Sequence, residues 1–127
     1  MNKTRSQIES EVSEAIIRFE KEYMGRGPVE TRTYLLEDMI LVRLSNVLTK
    51  AELQLAKAAD SVRGRDLIKE VRIQLLEKGR PLLEAVVEDV TGCKVVSLHT
   101  DISTVTGERV ILFTLDREPT IRKDLGS

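Results

Sequence analysis

The chain predicts an α+β fold: an antiparallel sheet of about four strands with helices on one face, built from two αββ units. Three observations carry that expectation. Residues 92–115 form two β-branched, apolar runs around Thr106-Gly107, the local pattern of a β-hairpin. Residues 5–23 set Ile8, Val12, Ala15, Ile16, Phe19 and Tyr23 at three- and four-residue steps, which gives a helix one apolar face. The order helix, glycine, strand, turn, strand also occurs twice, over 19–44 and 87–115. Read as a degenerate internal repeat, it matches Gly25 with Gly92, Thr33 with Thr100, and Ile40-Leu41-Val42 with Ile111-Leu112-Phe113.

The first helix ends at Met24-Gly25-Arg26-Gly27-Pro28, where glycine can take the left-handed C′ conformation and proline cannot continue a helix. Thr31 to Leu36 and Met39 to Leu44 then read as strands joined by a turn at Glu37-Asp38. Thr49 and Glu52 have capping-box spacing and open a short helix that runs to about Ala59. After a weak stretch at 60–64, Leu67, Ile68, Val71, Leu75, Leu82, Leu83, Val86, Val87 and Val90 trace the apolar stripe of a main helix. Pro81 lacks a backbone donor and crowds the Glu77 carbonyl, so a kink or break is expected near Lys78-Gly79-Arg80. Thr91-Gly92 closes that helix. Residues 1–116 are expected to form one domain and 117–127, which carry Pro119, a flexible C-terminal tail.

At 127 residues the chain can bury a core without disulfides or metal. Its 20 Lys+Arg against 21 Asp+Glu give a net charge of −1, so no overall field draws it to nucleic acid or an anionic membrane. Aromatics make up 3% of the chain, too few for a base-stacking platform, so nucleic acid is excluded as a partner. The single cysteine, Cys93, fits a reducing, cytoplasmic setting. No apolar run approaches the roughly 20 residues of a membrane span, and Glu9, Glu11 and Glu14 stand where a signal peptide needs its apolar stretch. Direct membrane insertion is therefore not expected.

Three separated strings carry a resemblance. These are Arg18-Phe19-Glu20-Lys21-Glu22-Tyr23-Met24-Gly25-Arg26-Gly27-Pro28, Val47-Leu48-Thr49-Lys50-Ala51-Glu52, and Val95 to Ser103 followed by Gly107-Glu108-Arg109-Val110. Together they resemble the MpsC-like family of small bacterial proteins, named for the soluble third component of a sodium-translocating, membrane-potential-generating system. The resemblance covers roughly residues 7–116 and implies a cytosolic accessory or regulatory component of a membrane ion or bicarbonate uptake system, held at the inner face through a partner. It brings no catalytic residues and no cofactor.

Chemistry could reside in a polar strand row. Ser97, His99, Asp101 and Ser103 alternate and so share one face, and an imidazole oriented by a carboxylate could act as a general base. Cys93 falls on the same face by this count, about 20 Å from His99. One His and one Cys are too few for a metal site. Arg26 and Arg32 could add guanidinium groups toward an anion, but Gly25 to Pro28 is too short for a phosphate loop and does not open a helix.

The main helix is basic early, at Arg63, Arg65, Lys69, Arg72, Lys78 and Arg80, and acidic late, at Glu84, Glu88 and Asp89, against its own dipole. An antiparallel partner helix would satisfy that polarity, and the strand edges and one uncovered sheet face also call for a partner, so a homodimer is expected. The leading functional reading is a non-enzymatic interaction module with a membrane-complex partner. The alternative is a small-molecule binder or enzyme that uses the row around His99 and Asp101.

Overall fold

Thr4 starts the first element. Its hydroxyl accepts from the Gln7 amide while the Gln7 side chain accepts from the Thr4 amide, a reciprocal cap that satisfies two otherwise orphaned donors. From there the computed structural model, which describes residues 3–25, 27–57 and 61–122, runs α1 (Arg5–Tyr23), β1 (Glu30–Leu36), β2 (Met39–Ser45), α2 (Lys50–Ala56), α3 (Ser61–Thr91), β3 (Val95–Ile102) and β4 (Arg109–Leu115). Gly25 and Gly92, which follow α1 and α3, both take positive φ, 81° and 71°, as helix-ending glycines do. Thr49 and Glu52 form the expected capping box at α2.

The strands form one antiparallel sheet in the order β1-β2-β4-β3. In the central pair Ile40 faces Phe113, Leu41 faces Leu112 and Val42 faces Ile111, so the two hairpins are related by a local two-fold through the Leu41–Leu112 pair. The register corrects one detail of the repeat. Leu35 pairs with Ile40 and Thr100 with Ile111, so Thr100 is the counterpart of Leu35 and not of Thr33.

Alternation then divides the sheet into two faces. Ile40, Val42, Leu44, Ile111, Phe113 and Leu115 are buried, and they join Ile8, Val12, Ile16 and Phe19 of α1 and Ile68, Leu76, Leu83 and Val87 of α3 in one core. Leu41, Val110 and Leu112, on the opposite face, remain part exposed.

α3 differs from expectation in two ways. It runs unbroken for 31 residues through Pro81. Glu77 and Pro81 lie on its exposed side, so the carbonyl that proline deprives of a donor faces water, while α1 packs against the opposite side. That packing is close: a Cβ on Gly79 would lie 2.2 Å from the Phe19 ring, and one on Gly64 would lie 2.3 Å from the Leu55 carbonyl. Both glycines let another helix approach. The second difference is exposure. Leu67, Val71 and Leu82, expected in the apolar stripe, are 45%, 53% and 44% exposed.

Cys93 also departs from its expected place. It precedes β3 and is buried in the core, its thiol against the Thr91 carbonyl at 3.6 Å, not on the polar face. Of the tail segment, residues 117–122 are described. Ile121 packs against the core and the Arg122 amide donates to the Lys3 carbonyl at 2.8 Å.

Candidate functional site

Two features have the chemistry to matter: a chain of buried charges between helices and sheet, and the uncovered sheet face.

The buried chain is built by register. Glu20 lies four residues after Ile16 on the inward stripe of α1, Arg72 lies between Ile68 and Leu76 on that of α3, and Arg109 begins the inward series of β4. All three are at most 2% exposed. Arg72 is held on its far side by Glu52, with Nε donating to Oε2 at 2.9 Å and Nη2 to Oε1 at 2.6 Å, and Nη2 also donates to the Val47 carbonyl at 2.9 Å. On its near side Arg72 Nη1 stands 3.7 Å from Glu20 Oε2, and Arg109 Nη1 stands 3.5 Å from Glu20 Oε1. The Arg109 Nε donates to the Thr100 hydroxyl at 3.3 Å.

The two ends of this chain differ electrostatically. At Glu20, burial pushes the carboxyl above its ordinary range, more than the neighbouring Arg109 and Arg72 pull it down. Both Glu20 oxygens and the Nη1 atoms of Arg72 and Arg109 lack a hydrogen-bond partner among the described residues. At Glu52, burial also pushes upward, but the hydrogen bonds from Arg72 and the Thr49 amide outweigh it and hold the carboxyl below its ordinary range. Burial lowers the Arg109 guanidinium from its usual value, against the opposing pull of Glu20. Beside this chain, a cleft of about 20 Å³, room for roughly one water, opens between α3 and the β3–β4 hairpin and is lined by Lys69, Arg72, Thr100, Asp101 and Arg109.

Of the residues singled out in the sequence, Asp101 alone lines that cleft. Ser97 and His99 project from the uncovered face of edge strand β3, the Asp101 carboxylate reaches round that edge to α3 and lines the cleft, and Ser103 lies just beyond the strand, where its hydroxyl accepts from the Val105 and Thr106 amides. Ser97 shares a short hydrogen bond with the Thr114 hydroxyl and lies 3.2 Å from His99 Nε2. Asp101 is paired with Lys69 at 3.5 Å, and its Oδ1 accepts from the Ile102 amide. Arg32 is on the opposite edge strand, paired with Glu30 at 2.6 Å in a shallow hollow of about 160 Å³ that also contains the Arg43–Glu108 pair. Three strand spacings, about 14 Å, therefore separate Arg32 from the β3 row within one chain. Arg26 lies outside the described residues.

Among the described residues no group of three or more His, Cys, Asp or Glu side chains gathers to hold a metal ion, and no helix is long and apolar enough to cross a membrane.

Comparison with known proteins adds identity without chemistry. The family described as "Na+-translocating membrane potential-generating system (MpsC)" matches residues 4–117. The "Uncharacterized protein YbcI" of Bacillus subtilis (strain 168) is 43% identical over 127 residues, covering 98% of this chain and all of that protein. A second protein of that strain, "Uncharacterized protein YrhF", is 27% identical over 110 residues, covering 85% of this chain and 87% of its own. No solved structure matches.

Proposed function

As the chain belongs to the MpsC family, we propose that it is a non-enzymatic, cytoplasmic docking module, working as a homodimer and serving as an accessory or regulatory component of a membrane ion-uptake complex. The observation that carries this reading is the apolar line left in solvent along α3. Leu67 and Val71 are exposed and Leu75 is half-buried, at four-residue steps along a shallow hollow of about 610 Å³ edged by Glu70, Glu77 and Lys78, and Leu82 is exposed two turns beyond Leu75. Isolated apolar residues on a surface need no explanation, but three at four-residue steps over one hollow of a 31-residue helix have the form of a seat for a second amphipathic helix. The occupant we assign is a helical segment of a membrane-complex subunit, with alternating charge that answers the mixed rim.

The test is site-specific photocrosslinking in the native cell with the reactive group at Val71. A crosslinked product containing a membrane transport subunit is the expected result. Recovery of soluble proteins alone, with no membrane subunit, would contradict it.

A further inference from the structure

We propose that the cleft between α3 and the β3–β4 hairpin binds one monatomic anion of the halide class, held by Arg72 and Arg109, and that its entry is coupled to uptake of a proton by Glu20.

Four polar atoms carry the argument. Glu20 Oε1, Glu20 Oε2, Arg72 Nη1 and Arg109 Nη1 are all buried without a hydrogen-bond partner among the described residues, on side chains at most 2% exposed. The charges attract one another, but the contacts are long. Arg72 Nη1 lies 3.7 Å from Glu20 Oε2 and Arg109 Nη1 lies 3.5 Å from Glu20 Oε1, beyond the roughly 2.7–3.2 Å of an N–H···O bond. The other bonds of these arginines are already placed. Arg72 Nε and Nη2 are taken by Glu52 and the Val47 carbonyl, and Arg109 Nε by the Thr100 hydroxyl. Each guanidinium is left with an unused buried donor, and both guanidiniums line the cleft. A small acceptor shared between them would recover the free energy that unpaired buried donors cost.

Charge decides what that acceptor is. With Glu20 ionised, Arg72 and Arg109 are balanced by Glu20 and Glu52, and the guest the charges admit is a water. A proton on Glu20 removes one of those counter-ions. Among the described residues Arg109 has no other carboxylate within ion-pair distance, so it becomes a buried cation without a partner. That state is costly, and an anion relieves it. Burial itself favours the proton on Glu20. Glu52, which faces the same cluster from α2, stays ionised because Arg72 and the Thr49 amide bond to it. At the mouth of the cleft, Lys69 and Asp101 pair at 3.5 Å and cancel each other. The cluster is therefore neutral either with a proton and an anion or with neither. By linkage, each tightens the binding of the other by the same factor.

Size narrows the class. A space of about 20 Å³, closed on its apolar side by Ile73 and Ile102, takes one atom-sized guest and excludes polyatomic anions such as phosphate or sulfate. The Lys69–Asp101 pair, with side chains 43% and 81% exposed, gives solvent ions a way in. The site lies on the inward side of α3, away from Leu67 and Val71, so its test is independent of the docking reading.

Chloride-35 NMR line broadening on the full chain tests the proposal, at constant ionic strength made up with gluconate, an anion too large for the cleft. The wild type should broaden the chloride line at about pH 5 and bind about tenfold or more weakly at about pH 9. Glu20→Gln keeps a neutral donor in place of the protonated carboxyl, so it should bind chloride equally at both pH values. In crystals grown in bromide at about pH 5, the anomalous peak should lie between the guanidiniums of Arg72 and Arg109. Absence of broadening at about pH 5, binding in the wild type that does not weaken with pH, loss of binding in a folded Glu20→Gln, or a water in place of the bromide peak would each overturn the proposal. Circular dichroism checks that Glu20→Gln folds; if it does not, the wild-type pH dependence and the bromide position decide the matter.

Discussion

Glu20 shows how a single side chain can depart from the pattern around it. In sequence it reads as one of the polar residues between apolar ones, yet it continues the Ile8, Val12, Ile16 series at a four-residue step and is fully buried. Arg72 and Arg109 occupy inward positions in the same way, so the signal was present as charges on apolar registers. Periodicity marked those positions as inward, but it could not say that the three would meet, because they come from elements far apart in the chain.

Because burial holds the Glu20 carboxyl high, the folded protein keeps a proton that the unfolded chain has released. The protonated form therefore favours folding, and that contribution is lost as pH rises above about 4.3, the ordinary glutamate value, through the raised one. Glu20→Gln removes this dependence, so its stability relative to wild type should increase with pH from about 4.5 to 8 in urea titrations. A relative stability that falls with pH would mean the arginines stabilise the carboxylate more than burial penalises it. Arg72→Met acts differently. It leaves Glu52 and the Val47 carbonyl without their donor and Glu20 with Arg109 alone, and it should cost about 3–5 kcal/mol in the same assay.

At the scale of elements, the parts legible in the sequence were those with local causes. The bounds of α1 and β4 and the cap of α2 follow from caps, alternation and turn residues acting within a few positions. Of the kink or break expected at Pro81 the break does not occur, because a broken helix is only one outcome of a missing donor. Where the orphaned carbonyl faces water and the opposite side is packed, the helix continues. Gly79, which seemed part of the break, is instead where α1 crosses α3. Gly79→Ala should raise local helix propensity, but the new methyl would have to displace Phe19 within a filled core, so a net loss of about 1–3 kcal/mol is expected. Thermal unfolding measures it, and Phe19→Leu in the same background should return part of the loss.

For the whole molecule, the sheet order and its local two-fold came from joining two hairpins that each could be read alone. What the sequence could not supply was which apolar residues the helices leave uncovered. Leu67, Val71 and Leu82 have the same residue types and the same stripe as their buried neighbours, and only the placement of α1 and α2 on α3 separates them. The candidate row at His99 is a set of exposed and half-buried side chains at an edge strand, while Leu67, Val71 and Leu82 leave apolar surface exposed on α3. Partner recognition is therefore proposed for α3 and not for His99.

That claim is tested most directly by co-purifying membrane partners from native cells with wild type, Val71→Arg and His99→Ala. The account predicts that a membrane transport subunit accompanies wild type and His99→Ala but is lost with Val71→Arg. Retention by Val71→Arg together with loss in His99→Ala would contradict it.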